Sequence, residues 1–322
     1  MTSSFTAEST TDEVLEGIDL TGQRFLVTGV SAGLGVETAR ALLARGASVV
    51  GTARDLAKAD RALAQARAAV TPGASLDVIE VDLASLASIR RGADLLLERG
   101  DRFDVVIANA GVMACPFGTT EDGFETQFGT NHLGHFVLVN RIVPLIKEPG
   151  RIVLLSSAGH RRSDVNLADP SFSSTPYDAW EAYGRSKTAN VLFAVALDSR
   201  LRDRGIRATA LHPGGISTEL GRHLTPEVIE SMRAMASAPP QPGAPRARRK
   251  SIPQGAATTV WAAVVADPGE IGAQFLEDCD VAPVNDTDAM GGVKSYALDA
   301  DHADELWRLS EQMVDETFAF NR

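Results

Sequence analysis

Short apolar runs rich in β-branched residues alternate along this chain with longer stretches in which apolar positions recur at helical spacing. The runs predict seven strands, at residues 24–29, 47–53, 76–82, 103–111, 150–157, 206–214 and 272–278. Helical patterns fill the intervals, including a long one over about 120–146 and another that starts at Tyr183. Strands and helices that alternate in this way are typical of βαβ units around a parallel sheet. We therefore predict an α/β fold: a single doubly wound parallel sheet with helices on both faces.

The ends of this pattern and its two irregular stretches indicate the domain organisation. Residues 1–20 lack the basic start and apolar core of a secretory signal, so we expect a flexible N-terminal arm before a single domain at 21–322. Two stretches, 158–181 and about 219–254, are longer than the usual connection of about 4–6 residues. The second contains Leu, Ile and two Met, and an apolar loop of this kind suits closure over a hydrophobic substrate.

Composition narrows the possible partners. Lys and Arg total 31 and Asp and Glu total 42, for a net charge of −11. Nucleic acid and anionic membranes are therefore disfavoured, since both need clustered positive charge. The two cysteines cannot build a disulfide framework and fit a reducing compartment, and no apolar run approaches the roughly 20 residues that cross a bilayer. We expect a cytoplasmic protein without a membrane span, a nucleic-acid partner or a metal site.

The sequence TGVSAGLG at 28–35 connects the first predicted strand to the first predicted helix. Gly29 permits a tight turn there, while Gly33 and Gly35 allow the backbone and the helix to approach a pyrophosphate. The N–H groups at the helix N-terminus then attract the anion. A glycine string in this strand–turn–helix setting predicts a dinucleotide site.

The residues after the second strand indicate which dinucleotide is bound. A site for NAD usually has an acidic residue there, which holds the ribose hydroxyls. This chain has Ala53 followed by Arg54, and a guanidinium can hold a 2′-phosphate through two hydrogen bonds. We therefore predict that NADP(H) is preferred over NAD(H). The alternative is that Arg54 is an ordinary surface arginine.

Several motifs, in this order, resemble those of the short-chain dehydrogenase/reductase family: TGVSAGLG, VDLAS at 81–85, ANAG at 108–111, TNHLGHF at 130–136, SSAGH at 156–160, YGRSK at 183–187 and HPGGIST at 212–218. The resemblance implies a Rossmann fold. The long segment before Tyr183 and the late EDCDVA sequence are similar to the branch that contains retinol dehydrogenases and the WW-domain-containing oxidoreductase. Two positions depart from the family pattern, because Ala108 replaces an Asn and Gly215 replaces a bulkier residue.

The resemblance implies four catalytic residues: Asn131, Ser157, Tyr183 and Lys187. Reduction of a carbonyl needs a proton donor and a group that holds the developing oxyanion. Tyr183 can donate the proton, and Lys187, one helical turn away, is expected to favour the phenolate by its charge. The resemblance assigns Ser157 to the substrate oxygen and Asn131 to a water that links Lys187 to solvent. Taken singly, an exposed Tyr–Lys pair, a capping serine and a buried structural asparagine are the simpler alternatives.

The resemblance, together with the argument for Arg54, also predicts the cofactor-binding residues. They are Gly29, Ser31, Ala32, Gly33, Leu34, Gly35, Arg54, Asp82, Leu83, Asn109, Ala110, Gly111, Tyr183, Lys187, Pro213, Gly214, Ile216 and Thr218. In the family, Asp82 and Leu83 correspond to positions that hold the adenine ring. Thr218 and the backbone of Ile216 correspond to positions that hold the nicotinamide amide.

The predicted function is NADP(H)-dependent hydride transfer to or from a small hydrophobic alcohol, aldehyde or ketone, with retinoids and steroids among the candidates. The alternative is a non-catalytic NADP(H)-binding redox sensor on the same fold, although such proteins commonly lose the Tyr or the Lys. An epimerase or dehydratase of the extended branch is disfavoured by the glycine spacing. The resemblance further suggests a homodimer or homotetramer through the helices that carry Asn131 and Tyr183. Residues 189–197 are apolar around most of the helix, which is consistent with burial on several sides.

Overall fold

The computed structural model describes residues 4–68, 70–71, 73–224, 230, 249–287 and 291–320. In these ranges the strands are, in chain order, β1 (Arg24–Thr28), β2 (Ser48–Ala53), β3 (Ser75–Glu80), β4 (Phe103–Ala108), β5 (Ile146–Leu155), β6 (Ile206–His212), β7 (Gly215–Ile216), β8 (Arg249–Lys250), β9 (Phe275–Glu277) and β10 (Asp280–Val281). The central sheet has the order β3-β2-β1-β4-β5-β6-β9-β10. All neighbours in it are parallel except β9 and β10. The predicted doubly wound parallel sheet is confirmed, with an antiparallel edge strand that we did not predict.

The helices of the described residues are α1 (Thr11–Val14), α2 (Gly33–Leu43), α3 (Leu56–Ala68), α4 (Leu86–Arg99), α5 (Thr126–Phe128), α6 (Gly134–Ile142), α7 (Ala179–Leu201), α8 (Ile252–Val260), α9 (Pro268–Ile271) and α10 (Ala300–Val314). One apolar core contains residues of α1, α2 and α8, and the other contains residues of α4, α6, α7 and α10. Alternate strand residues face the two cores: Leu26 belongs to one and Val27 to the other. Across the described helices, none combines the length and the apolar character that crossing a membrane requires.

The strand order reverses between β1 and β4, which is where doubly wound sheets bind their ligands, beyond the carboxyl ends of the strands. β1 ends at Thr28 and β4 ends at Ala108. The glycine turn follows the first of these residues, and the rest of the ANAG sequence follows the second. The fold therefore brings two predicted cofactor motifs to one crevice.

The residues before β1 differ from the flexible arm that we predicted over 1–20. From residue 4 onward they lie against the domain, where α1 packs on α2 and α8. Leu15 and Leu20 are fully buried, and the Thr11 hydroxyl donates a hydrogen bond to Glu37 of α2. A few apolar residues in a polar stretch are enough to anchor it when neighbouring helices can cover them.

The long helix predicted over 120–146 begins later and is irregular. Residues ahead of it form a turn, in which the Thr120 N–H donates to the Phe124 carbonyl at 2.8 Å. Glu125 then caps α5 by accepting two backbone N–H groups. α5 continues into a π-helix at Gly129–Leu133 and then into α6. A π segment is frequent at functional sites, and Asn131 lies within this one.

Helix α7 is buried by the rest of this one chain. Every residue from 182 to 198 is buried, and α10 packs along the helix. Trp307 of α10 has its ring centroid 5.0 Å from that of Phe136 and 5.9 Å from that of Phe193. The apolar circumference of α7, which we interpreted as burial on several sides, is thus explained by packing within the chain. The homo-oligomer through the helices of Asn131 and Tyr183 stays a prediction from the sequence.

The substrate loop predicted at about 219–254 falls largely outside the described residues, and its Met-rich stretch lies there entirely. Thr218 caps a 3₁₀ turn at Glu219–Gly221, and Glu219 forms an ion pair with Lys58 of α3. At the other end, β8 pairs in parallel with β7. Both described ends of the loop are therefore attached to the domain at its cofactor side.

Candidate active site

The glycine turn joins β1 to α2 at the carboxyl end of the sheet. Gly29 and Gly33 have φ values of +76° and +60°, which glycine adopts without steric cost. A side chain at Gly35 would collide with the carbonyl of Gly29. α2 begins at Gly33 without a side-chain cap, so its first N–H groups are available to an anion. The other predicted residues of the turn are partly exposed: Ser31, Ala32 and Leu34.

Thr28 holds the ANAG sequence beside this turn. Its Oγ1 accepts hydrogen bonds from the N–H groups of Asn109 and Ala110, each at 2.9 Å. The Asn109 Nδ2 donates to the Thr28 carbonyl at 2.8 Å. Gly111 comes next, and a Cβ there would lie 3.5 Å from the Lys187 Nζ. The ANAG sequence therefore extends from the glycine turn to the predicted catalytic residues.

The loop after β6 returns to the glycine turn. A Cβ on Gly33 would lie 3.3 Å from the Thr218 Cβ. Ile216 and Leu34 both lie against Gly255 of α8, where an added Cβ would be 2.5 Å from the first and 3.0 Å from the second. Ile216 and Thr218, the residues predicted on the nicotinamide side, are thus close to the turn. The other two predicted residues of this loop precede them in the chain: Pro213 and Gly214.

The residues predicted at the adenosine end follow the carboxyl ends of β2 and β3. Arg54 is exposed immediately after β2. Burial and nearby positive charges, including that of Arg54, lower the pKa of His223, so the start of the substrate loop lies near this arginine. The Asp82 carboxylate accepts a backbone N–H two residues on, at 2.9 Å. Leu83 is buried, and a Cβ on Gly134 of α6 would lie 2.5 Å from its carbonyl oxygen.

Ser157, Tyr183 and Lys187 converge beside the ANAG sequence. Ser157 lies beside the Tyr183 ring, because a Cβ on Gly159 would be 3.5 Å from the Ser157 Oγ and 2.8 Å from two carbons of that ring. The Ser157 side chain also accepts the Gly159 N–H at 3.0 Å. Lys187 Nζ donates to the Leu155 carbonyl at 3.0 Å and lies 5.7 Å from the centre of the Tyr183 ring. Tyr183 and Lys187 are 3% and 4% exposed. The pair in YGRSK is therefore not an exposed surface pair, whereas Ser157 does cap the turn that follows β5.

Burial dominates the ionisation of the two α7 groups. It raises the pKa of Tyr183 to about 12, against a smaller lowering by the Ser157 hydroxyl. It lowers the pKa of Lys187 to about 8. The phenol is therefore protonated at neutral pH, and the expected support of the phenolate by the charge of Lys187 stays a prediction. A protonated phenol beside a mostly cationic lysine can donate a proton to a carbonyl oxygen.

Asn131 is fully buried in the π-helix, and both polar atoms of its side chain are engaged. Oδ1 accepts the Val112 N–H at 2.8 Å. Nδ2 donates to the Val112 carbonyl and to Ser186 Oγ, each at 2.9 Å. Ser186 in turn donates to the carbonyl of Tyr183 at 2.8 Å. The side chain thus joins the segment after ANAG to α7. Asn131 is therefore a buried structural residue that also lies beside the predicted site.

The 158–181 insert contributes residues that the sequence did not single out. Trp180 lies one turn before Tyr183 in α7, with 6.3 Å between ring centroids. Arg185, inside the YGRSK motif, holds the insert by donating to the Asp169 carbonyl at 2.8 Å and by stacking on Phe172 at 3.9 Å. The spacing of three residues from Tyr183 was a signal for Trp180, because such residues share a helix face. Nothing local in the sequence indicated the contacts of Arg185 with Asp169 and Phe172.

Comparison with known proteins finds similarity over most of the chain. A family model described as short chain dehydrogenase matches residues 23–228. Retinol dehydrogenase 14 of Homo sapiens is 37% identical over 308 residues, which cover 91% of this chain and 86% of that protein. A crystal structure from Mycobacterium paratuberculosis is 33% identical with a TM-score of 0.71, covering 95% of this chain and 98% of that one. A short chain dehydrogenase from Burkholderia cenocepacia, solved in complex with NADP, is 25% identical with a TM-score of 0.60, covering 80% and 96%.

Proposed function

Because this chain belongs to the short-chain dehydrogenase family, oxidoreductases that act on CH–OH and C=O groups with a nicotinamide cofactor, we propose that it transfers a hydride between NADP(H) and a hydrophobic carbonyl or alcohol. Tyr183 is the general acid/base of this reaction. The observation that carries the proposal is the placement of the Ser157 hydroxyl beside the buried Tyr183, both against Gly159, with Lys187 next to the phenol ring. Two hydroxyl groups that meet at one point can hold a substrate oxygen on which negative charge develops.

The glycine turn fits a dinucleotide, because α2 begins without a side-chain cap and Gly35 keeps the backbone approachable. The N–H groups at the start of α2 would hold the pyrophosphate. The ANAG and 213–218 segments would hold the nicotinamide riboside. When bound, NADPH supplies a hydride for the substrate carbon.

The residues of the chain supply the proton and the electrostatic support. Tyr183 donates its proton to the substrate oxygen, and Ser157 donates a hydrogen bond to the same oxygen. The positive charge of Lys187 stabilises the tyrosinate that remains. Asn131 keeps the segment after ANAG in contact with α7. Retention of all four residues supports an enzyme over a non-catalytic NADP(H)-binding sensor.

Preference for NADP(H) is supported by the surroundings of β2. Arg54 is exposed directly after that strand, and Ala53 stands where a carboxylate would repel a 2′-phosphate. A guanidinium at this position can form two charge-assisted hydrogen bonds to the phosphate. The NADP complex of the Burkholderia cenocepacia relative is consistent with this choice.

A hydrophobic substrate is supported by aromatic residues at the start of α7 and in the insert before it. Trp180 contacts the Tyr183 ring edge to face. Phe117, which is 59% exposed, packs on Tyr177 of the insert with 5.2 Å between ring centroids. An aldehyde or ketone with a retinoid-like or steroid-like body suits such a surface. A cytoplasmic location and a homo-oligomer stay predictions from the sequence.

The decisive experiment measures NADPH oxidation with a panel of aldehydes and ketones whose apolar part increases in size, including retinal and a ketosteroid. The reverse reaction is followed with the matching alcohols and NADP⁺. We expect turnover with kcat/KM rising along the apolar series, and a kcat at least roughly a hundredfold lower for Tyr183→Phe. If the wild-type protein binds NADPH but turns over nothing with either cofactor, the sensor is the correct alternative.

A further inference from the structure

Asn131 is followed on the same helical segment by two buried histidines, His132 and His135, that the proposed function leaves unused. They are 1% and 0% exposed. Burial lowers the pKa of His132 to about 3 and that of His135 to about 4. Both rings are therefore neutral at physiological pH, and each carries one N–H. The nitrogen that carries it decides which partner the ring can hold.

The partners of His135 fix its tautomer. Nε2 lies 2.9 Å from Thr28 Oγ1, and Nδ1 lies 2.9 Å from the main-chain carbonyl oxygen of Asn131. A carbonyl only accepts, so Nδ1 must carry the hydrogen. The Thr28 oxygen already accepts two N–H groups, from Asn109 and Ala110. Its own hydrogen is left to donate to Nε2, because a hydroxyl has two lone pairs. Both contacts therefore give the same Nδ1–H tautomer.

His132 has the opposite tautomer. Its Nε2 lies 2.8 Å from Ser310 Oγ of α10, and Ser310 donates its hydrogen to the Leu306 carbonyl at 2.8 Å. The serine oxygen is left as an acceptor, so Nε2 of His132 carries the hydrogen. The ring packs among aromatic side chains, with centroids 5.1 Å from Phe128 and 5.8 Å from Phe193. His132 thus joins the π-helix to α10, away from the glycine turn.

We infer that His135 is a positioning residue of the proposed hydride-transfer site, on which this inference rests. As the Nδ1–H tautomer, it ties the main-chain carbonyl of Asn131 to the Thr28 hydroxyl. Thr28 also holds the ANAG sequence, so the single ring fixes the Asn131 peptide relative to both cofactor motifs. The side chain of Asn131 is engaged with Val112 and Ser186. His135 therefore holds the main-chain carbonyl of Asn131, which the side-chain contacts do not engage.

The charges around His135 explain why a neutral ring is suited to this position. Lys187 of α7 faces it and disfavours its protonated form. His132 is the titratable neighbour on the same helix, and Thr28 on β1 is uncharged. A protonated His135 would also point an N–H at the Thr28 hydroxyl, which has no lone pair left for it. The ring can orient the Asn131 carbonyl without adding a charge that competes with Lys187.

The tautomers can be measured directly. In long-range ¹H–¹⁵N NMR spectra of the wild-type protein labelled with ¹⁵N-histidine, each ring is assigned through its contacts to Thr28 or to Phe193. We expect His135 protonated at Nδ1 and His132 protonated at Nε2. An Nε2–H tautomer at His135 would overturn the inference. This measurement needs neither turnover nor a variant that folds.

Paired amide substitutions test the positioning role. The amide of Asn places its N–H near the position of Nδ1, whereas that of Gln reaches the position of Nε2. His135→Asn retains the donor to Asn131 and should keep most of the activity. His135→Gln loses that donor, and its kcat should fall by roughly tenfold to a hundredfold, the size expected when a reacting group is misplaced by about 1 Å. The KM for NADPH should change little in both variants.

His132 provides the matched control. His132→Gln retains the Nε2 donor to Ser310 and His132→Asn loses it, so the second should melt at a lower temperature than the first. Neither should alter kcat or its pH profile. Equal kcat values in His135→Asn and His135→Gln, or losses that merely follow the melting temperature, would contradict the positioning role. If the wild-type protein has the expected tautomers but no turnover, only the proposed function is refuted. If the enzyme is active but His135 has the opposite tautomer, only the positioning role is refuted.

Discussion

Ser157 lies beside Tyr183, whose pKa its hydroxyl lowers, although the 158–181 insert separates the two residues in the chain. Two local features make the contact possible. Asp178 starts α7 by accepting the N–H groups of its first turn, which sets where the phenol begins. Gly159 lies against the phenol ring, since a Cβ there would be 2.8 Å from two ring carbons. The loop after β5 therefore sets the direction of the phenol as much as α7 does.

Removal of the phenol hydroxyl should abolish proton donation without disturbing the cofactor. For Tyr183→Phe we expect kcat to fall by roughly 10²- to 10⁴-fold, the usual contribution of general acid–base catalysis. NADPH binding, followed by fluorescence titration, should be nearly unchanged. Tyr177→Phe is the control, because it keeps the aromatic ring of the insert and removes only a hydroxyl that donates to the Cys115 carbonyl at 2.8 Å. Substantial turnover by Tyr183→Phe would assign the proton to another group.

Reversal of the charge after β2 should change the cofactor preference. Arg54→Asp removes a charge-assisted contact worth about 1.5–3 kcal/mol and adds repulsion toward a 2′-phosphate. The ratio of kcat/KM for NADPH to that for NADH should therefore fall by at least roughly tenfold. Arg61→Asp makes the same charge change at an exposed position of α3 and should leave the ratio alone. A ratio that responds equally to both substitutions would indicate a general charge effect.

Lys187 should lower the free energy of unfolding at neutral pH. Burial lowers its pKa from 10.5 to about 8, so the unfolded chain holds this proton more tightly than the folded chain does. The cost is fully present below pH 8 and disappears as pH rises toward 10.5. Lys187→Met should abolish turnover yet raise the free energy of unfolding at pH 7 by on the order of 3 kcal/mol. The Leu155 carbonyl keeps a donor, because Asn190 also bonds to it at 3.1 Å.

Denaturant unfolding at pH 7 and at pH 9.5 measures this effect. The advantage of Lys187→Met over the wild-type protein should be largest at the lower pH and should shrink at the higher one. Lys58→Met, which removes a lysine that is 41% exposed, is the control and should show no such trend. A loss of stability at pH 7 would mean that the ammonium group contributes more through its hydrogen bond than burial costs.

The packing of α10 on α7 should contribute a large part of the free energy of unfolding on this side of the sheet. Trp307→Ala removes the ring that contacts Phe136 and Phe193, and we expect a loss of about 3–5 kcal/mol, as for other buried aromatic residues. Leu95→Ala, at a leucine of α4 that is 38% exposed, should change stability much less. Thermal melting followed by circular dichroism compares the two. Equal effects would show that Trp307 is not the centre of this packing.

The parts of the fold that the sequence predicted are those whose signals are local. Each strand of the parallel sheet is a short apolar run, and the glycine turn needs residues without side chains at fixed places. The π-helix around Asn131 could not be predicted, because its extra residue leaves the apolar pattern almost unchanged. The docking of Leu15 and Leu20 and the covering of α7 depend on surfaces made by residues far away in the chain. The partners of His135 were hidden for the same reason, since Thr28 lies on another element.

The order of the elements along the chain has a consequence for synthesis. Helix α7 leaves the ribosome well before α10, because the substrate loop and β9 lie between them. Chains begin to fold while they are still being made, so Phe136 and Phe193 are exposed until Trp307 arrives. During that interval the nascent chain presents an aromatic surface to chaperones and to other chains. The completion of the core around Phe136 and Phe193 is therefore one of the last steps of folding.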